Sequence, residues 1–110
     1  VDIAVTGRRR PLPAGVDLAA YRIVQEALTN VLKHAHPTRV TVTLAFRDPG
    51  LEVEVVDDGS RRTDESEART GQGIVGMRER VALLGGQLDT GRRVGGGYRV
   101  AARLPIGGDA

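Results

Sequence analysis

Two spacings of apolar residues, every second position and every third or fourth, divide the 110-residue chain into strands and helices. Val1 to Thr6 alternates as V-D-I-A-V-T, which predicts an edge strand, and the R-R-R-P-L-P-A-G stretch after it reads as a loop. A helix follows. Asp17 is its N-cap candidate, and apolar residues recur at Ala20, Val24, Leu28, Val31 and Ala35, with Tyr21, Ala27 and Leu32 widening the stripe until Pro37 ends it. Two Val-rich strands, near 39–46 and 51–57, flank the turn signal Asp48-Pro49-Gly50 and should pair as a hairpin. A second helix is expected from Ile74 to Leu84, stopping at Gly85-Gly86. Two last strands, Q-L-D-T-G-R and Y-R-V-A-A-R-L-P, enclose the turn R-V-G-G-G, and the P-I-G-G-D-A tail should fray. Strands outnumber helices and most links between neighbouring strands are of hairpin length. The expected class is therefore α+β, a two-layer sandwich of a mixed, mainly antiparallel sheet with helices on one face.

One stretch breaks the pattern. From Asp58 to Gln72 the chain has much charge and no apolar periodicity, which predicts a flexible loop over about 60–72. Loops of this length usually have a function.

Composition narrows the class. A length of 110 residues with 40% apolar content suits one domain, 1–110, with one core. Aromatic residues are 3% of the chain, with Phe46 the sole phenylalanine, so Val, Leu, Ile and Ala must build that core. The absence of cysteine excludes disulfides, thiolate metal sites and a cysteine nucleophile. No apolar run approaches the roughly 20 residues that span a bilayer, so a soluble, cytoplasmic domain is expected. The net charge of +2 raises nucleic acid as a partner. Its densest patch, Arg8-Arg9-Arg10, runs straight into Pro11 with no aromatic residue to stack on a base, and reads as a solvated turn. Fifteen of the sixteen basic residues are arginine, which singles out Lys33.

Three segments have candidate chemistry. On the first helix Glu26, Asn30 and Lys33 are spaced to form one row, expected opposite the apolar stripe. Such a row is either a solvated face or a carboxylate, an amide oxygen and an ammonium of the kind a metal-bound triphosphate needs. Asp57-Asp58-Gly59 ends a buried strand, where Asp-Gly also serves simply as a turn. Gly71-Gln72-Gly73-Ile74-Val75-Gly76 opens the second helix, where free amides and the helix dipole favour an anion, although glycines also act as hinges.

The order of these segments is the specific signal: E-x-x-x-N-x-x-K-H on a helix, a strand ending D-D-G, a polar loop, then G-x-G-x-x-G and a helix. At these residues the chain resembles the Bergerat, or GHKL, ATP-binding fold. More narrowly, Y-R-I-V-Q-E-A-L-T-N-V-L-K-H-A together with G-Q-G-I-V-G-M-R-E-R-V is similar to the catalytic domain of bacterial sensor histidine kinases of the NarX and DesK subclass. The resemblance implies that Asn30 supplies an amide oxygen to Mg²⁺, that Lys33 and His34 approach the phosphates, and that Glu26 assists proton removal. It implies that Asp57 accepts the adenine amino group and that Gly59 lets the backbone lie close to the base. Gly71, Gly73, Ile74 and Gly76 match the glycine motif that closes the loop over the triphosphate and opens the helix beneath it. His34 has a simpler alternative as a cap of helix carbonyls, and His36 reads as a loop residue.

The implied cofactors are ATP and Mg²⁺. The implied partners are the kinase's own dimerisation and histidine phosphotransfer domain, which this chain lacks, and a response regulator; the full-length kinase is expected to be a homodimer. Two positions depart from the family. Arg61 stands where a second glycine is common, and Tyr98 stands where a threonine often precedes the last strand. The alternatives are an anti-sigma-factor serine kinase of the same fold, whose signatures fit G-M-R-E-R-V less well, and a basic nucleic-acid-binding module without catalysis.

Overall fold

A computed structural model describes residues 1–34, 39–47, 50–59, 75–94 and 96–106, with the side chains of 32–34 left aside. The elements run β1 (Asp2–Gly7), α1 (Ala14–His34), β2 (Val40–Arg47), β3 (Gly50–Asp57), a second helix α2 over 75–83, β4 (Gln87–Arg92) and β5 (Tyr98–Pro105). The five strands form one sheet in the order β1-β2-β3-β5-β4. β1 runs parallel to β2, and the other three pairings are antiparallel. The mixed, mainly antiparallel α+β sheet read from the sequence is thus observed. The loop expected over 60–72 lies outside the described residues, as do residues 107–110 of the tail expected to fray from Pro105; Pro105 itself is the last residue of β5.

Strand alternation builds the two faces of the sheet. Val40 and Val42 of β2, Leu51, Val53 and Val55 of β3, and Val100, Ala102 and Leu104 of β5 are buried on the side that α1 covers. The opposite face is polar and carries ion pairs. Arg47 and Arg103 lie 3.3 and 3.7 Å from the two carboxylate oxygens of Glu52, and Arg99 pairs with Glu54. Each such exposed pair contributes about 0.2–1 kcal/mol at most.

Helix α1 differs from its expected course in two ways. It begins at Ala14, three residues before Asp17. The Asp17 amide donates to the Pro13 carbonyl at 2.9 Å, so Pro13 holds the cap position and Asp17 lies inside the first turn, where its carboxylate complements the helix dipole. The buried stripe is also rotated. Val16, Ala19, Ala20, Ile23, Ala27 and Val31 face β3 and β5, Val24 and Leu28 lie at the margin, and Tyr21 is 63% exposed. The three alanines on this face explain the rotation, because small side chains let the helix axis approach the sheet. The rotation brings Asn30 to 8% exposure on the core side, so Asn30 does not stand opposite the apolar stripe as its spacing from Glu26 had suggested.

Helix α2 buries Met77 and Val81 and ends in a Schellman turn: the Gly86 amide donates to the Val81 carbonyl at 2.9 Å and Gly85 to Ala82 at 3.0 Å. Gly85 takes the required left-handed conformation, φ +81°. The stop expected at Gly85-Gly86 is observed.

The rotated stripe is testable by urea denaturation. Ile23, at 1% exposure, should cost about 2–5 kcal/mol on truncation to alanine. Tyr21→Ser should change stability by no more than about 0.5 kcal/mol, since its side chain is largely solvated. Equal losses at the two positions would put the helix in the originally expected orientation.

Candidate functional site

Asp57 is the last residue of β3 and is 3% exposed. The strand alternation that buries Val53 and Val55 continues to this position, so a carboxylate occupies what the pattern makes a core site. Burying a carboxylate is costly unless its oxygens accept hydrogen bonds, and one is supplied two residues on: the Gly59 amide donates to Asp57 Oδ1 at 2.8 Å. Asp58 faces the other way and acts as a tie. Its Oδ1 accepts from the Arg39 amide at 2.8 Å, and its own amide donates to the Arg39 carbonyl at 3.2 Å. The turn-forming role weighed for this dipeptide therefore falls on Asp58 and Gly59, while Asp57 points inward.

The β4–β5 hairpin holds the same spot from the other side. Tyr98 is the register partner of Asp57, and the hairpin closes through Arg93 N–H to the Gly97 carbonyl at 2.9 Å. An Arg93 Nη1 donor reaches the Asp57 carbonyl at 3.4 Å. Gly97 is required here: it has φ +94°, and a Cβ on it would stand 1.9 Å from the Asp57 carbonyl oxygen.

Above this end of the sheet α1 presents Asn30. One cavity is lined by Ala27, Asn30 and Val31 of the helix, Val55 and Asp57 of β3, and Tyr98 and Val100 of β5. Its volume is about 10 Å³, the size of a single water. A second cavity, about 180 Å³, lies between the helices and is lined by residues that include Arg22, Glu26, Gly76 and Arg80. The candidate residues thus fall into two groups. Asn30 and Asp57 share the first cavity, beside the Asp57–Gly59 hydrogen bond, and Glu26 and Gly76 share the second. Lys33 and His34 belong to the last turn of α1, and their side chains are outside the described residues, as are Gly71, Gly73, Ile74 and Arg61. Roomier surface hollows, about 440 and 520 Å³, lie at the Gly50 end of the sheet and beside the end of α2, and contain none of these candidates.

Ala27, Val31, Val55, Val100 and Arg93 had not been read as site residues. Ala27 and Val55 were findable, since one is three positions from Asn30 on a helix and the other two from Asp57 on a strand. Arg93 had no such signal, because its proximity depends on the pairing of β5 with β3.

The family described as histidine kinase-, DNA gyrase B-, and HSP90-like ATPase matches residues 15–108. The signal transduction histidine-protein kinase/phosphatase DegS of Brevibacillus brevis is 36% identical over 107 residues, covering 96% of this chain and 28% of that protein. Sensor histidine kinase LiaS of Bacillus subtilis (strain 168) is 30% identical over 106 residues, covering 96% of this chain and 29% of the other. The chain therefore spans between a quarter and a third of the length of these relatives. Among solved structures, the histidine kinase domain of the Erythrobacter litoralis EL346 blue-light activated histidine kinase superposes with a TM-score of 0.69 at 27% identity, covering 96% of this chain and 54% of that one. The ATP binding domain of PrrB from Mycobacterium tuberculosis gives a TM-score of 0.61 at 24% identity over 96% of this chain and 80% of its own, a likeness of fold.

Gly97→Ala should lose about 1–3 kcal/mol to backbone strain alone, and more from the clash with the Asp57 carbonyl. Gly91→Ala is the control, because a Cβ there has open space. Thermal unfolding of the two variants should separate them clearly, with Gly91→Ala at or near the unchanged chain.

Proposed function

The chain belongs to the histidine kinase-, DNA gyrase B- and HSP90-like ATPase family, as an ATP-binding catalytic domain of the two-component sensor kinase kind, and from that premise we propose how its residues divide the work. The proposed reaction is transfer of the γ-phosphate of ATP to a histidine on a separate dimerisation domain, with a response regulator downstream. In this reading residues 1–110 act as one domain, in the cytoplasm, within a homodimeric kinase.

The observation that supports this reading most directly is the cavity shared by Asn30 and Asp57. A purine amino group donates hydrogen bonds, and Asp57 is a buried acceptor whose Oδ1 is already oriented by Gly59. The base end of the nucleotide is assigned to Asp57 and Gly59. The phosphate end is assigned to Asn30, Lys33 and His34 at the end of α1, and to Gly71, Gly73, Ile74 and Gly76 before and at the start of α2, where backbone amides and the helix dipole favour negative charge. Glu26 is assigned the proton acceptor role, and its position in one cavity with Gly76 and two arginines supports a charged phosphate environment there. Magnesium takes one or two protein oxygens and completes its shell with phosphate and water, so a single amide oxygen on Asn30 fits its chemistry. Bound there, the ion would neutralise charge on the transferring phosphoryl group. The protein's own contribution is positioning, since phosphoryl transfer offers it little covalent chemistry.

Two measurements test these assignments. Mg-ADP at ~100 times its dissociation constant should stabilise the chain by roughly 2.7 kcal/mol, seen as a raised melting temperature. Asp57→Asn should remove most of that shift. An amide oxygen can still accept from Gly59, so the change falls on the second oxygen, which becomes an NH₂ donor facing another donor. A shift that survives in the variant removes Asp57 from the base site. With γ-labelled ATP, the chain alone should stay unlabelled while a supplied dimerisation domain of its own kinase becomes labelled. Asn30→Ala should abolish that labelling more completely than nucleotide binding, because contacts to the base remain.

A further inference from the structure

Tyr98 lines the cavity that Asn30 and Asp57 share. Its backbone has little freedom relative to Asp57: the two are register partners, Gly97 touches the Asp57 carbonyl, and Arg93 bonds both the Gly97 carbonyl and the Asp57 carbonyl. The side chain lies on the helix-facing side of the sheet, half-buried and packed against the core cluster. There it lines, with Asn30 and Asp57, a cavity of about 10 Å³. A purine is several times the size of the single water such a space holds. The sheet cannot yield, because β3 and β5 are hydrogen-bonded along their whole length. On the helix side the described wall is Ala27, Asn30 and Val31, each smaller than a tyrosine ring. Tyr98 is the largest of the described lining side chains, and its ring can exchange between staggered χ1 positions while its backbone stays fixed.

Resting on the ATP reading above, we propose that Tyr98 is the affinity-determining residue of the base site. Its ring takes up space that the purine needs and must turn outward before the base can reach Asp57. Apparent affinity is then reduced by the fraction of molecules in which the ring is already out. A smaller residue at this position removes that cost. Phenylalanine keeps nearly the whole ring volume, so it should close the site much as tyrosine does.

Calorimetric titration with Mg-ADP tests this on three chains. Tyr98→Thr should bind at least about fivefold more tightly than the unchanged chain, equivalent to an open fraction of about one fifth or less, and Tyr98→Phe should stay within about twofold. The chain has no tryptophan and two tyrosines, so Tyr21→Phe leaves Tyr98 as its single fluorophore. In that variant acrylamide should quench Tyr98 more efficiently once Mg-ADP is saturating, a readout that does not depend on Tyr98→Thr folding. Equal or weaker binding by Tyr98→Thr, a gain shared by Tyr98→Phe, or unchanged quenching each overturns the proposal. Binding by the unchanged chain that Asp57→Asn abolishes, with no gain in Tyr98→Thr, sinks the gate and leaves the ATP site intact. Absence of Mg-ADP binding in every chain sinks both.

Discussion

A carboxylate buried at the end of the central strand is the constraint on which this end of the molecule depends. Asp57 occupies a position that the alternation of β3 reserves for a core residue, and it is almost fully removed from solvent. Such a group persists only where its acceptors are met. The Gly59 amide meets one oxygen, which bends the chain immediately after the strand. Among the described residues no buried side-chain polar atom lacks a partner. The hairpin, with Gly97 against the strand end and Arg93 on its carbonyl, holds the same place from the opposite strand. A group held so firmly is suited to recognition, because little reorganisation remains to be done when a donor arrives.

Helix α1 serves the core and the candidate site with one face. Its alanines at 19, 20 and 27 let it settle close over β3 and β5, and the same face carries Asn30 above Asp57. The next turn backward presents Glu26 toward α2, in a different cavity. Stability and the geometry of the candidate site are therefore coupled along this helix: a core substitution that tilts it displaces Asn30 relative to Asp57. The lateral position of α2 is set separately, by Met77 and Val81 in the core and by the glycine turn that follows.

The basic surplus has a structural use. On the outer face Arg47, Arg99 and Arg103 pair with Glu52 and Glu54, and Arg10 donates to the Arg47 carbonyl, securing the loop after β1. These guanidiniums are engaged with the protein's own acceptors, which weakens the case for a nucleic-acid surface. Similarity to two sensor histidine kinases over 96% of the chain favours the kinase reading over the serine-kinase alternative as well.

Element type and order were legible in the sequence because they depend on local periodicity and turn chemistry. The alternation of β2, β3 and β5, the glycine stop of α2 and the hairpin glycines each act over a few residues, and β4 and β5 lie where their patterns put them. Asp57 and Asn30 were legible as candidates through their motifs. The sequence could not specify which side of α1 faces the sheet, because its apolar stripe is wide and Ile23 and Tyr21 compete for the core; close packing over β3 and β5 settled it in favour of Ile23. Nor could it specify that Tyr98 faces Asp57 across the β3–β5 pairing, forty-one positions away in the chain. That contact arises from strand register, which is determined by the burial of whole faces at once and has no signature at either residue alone.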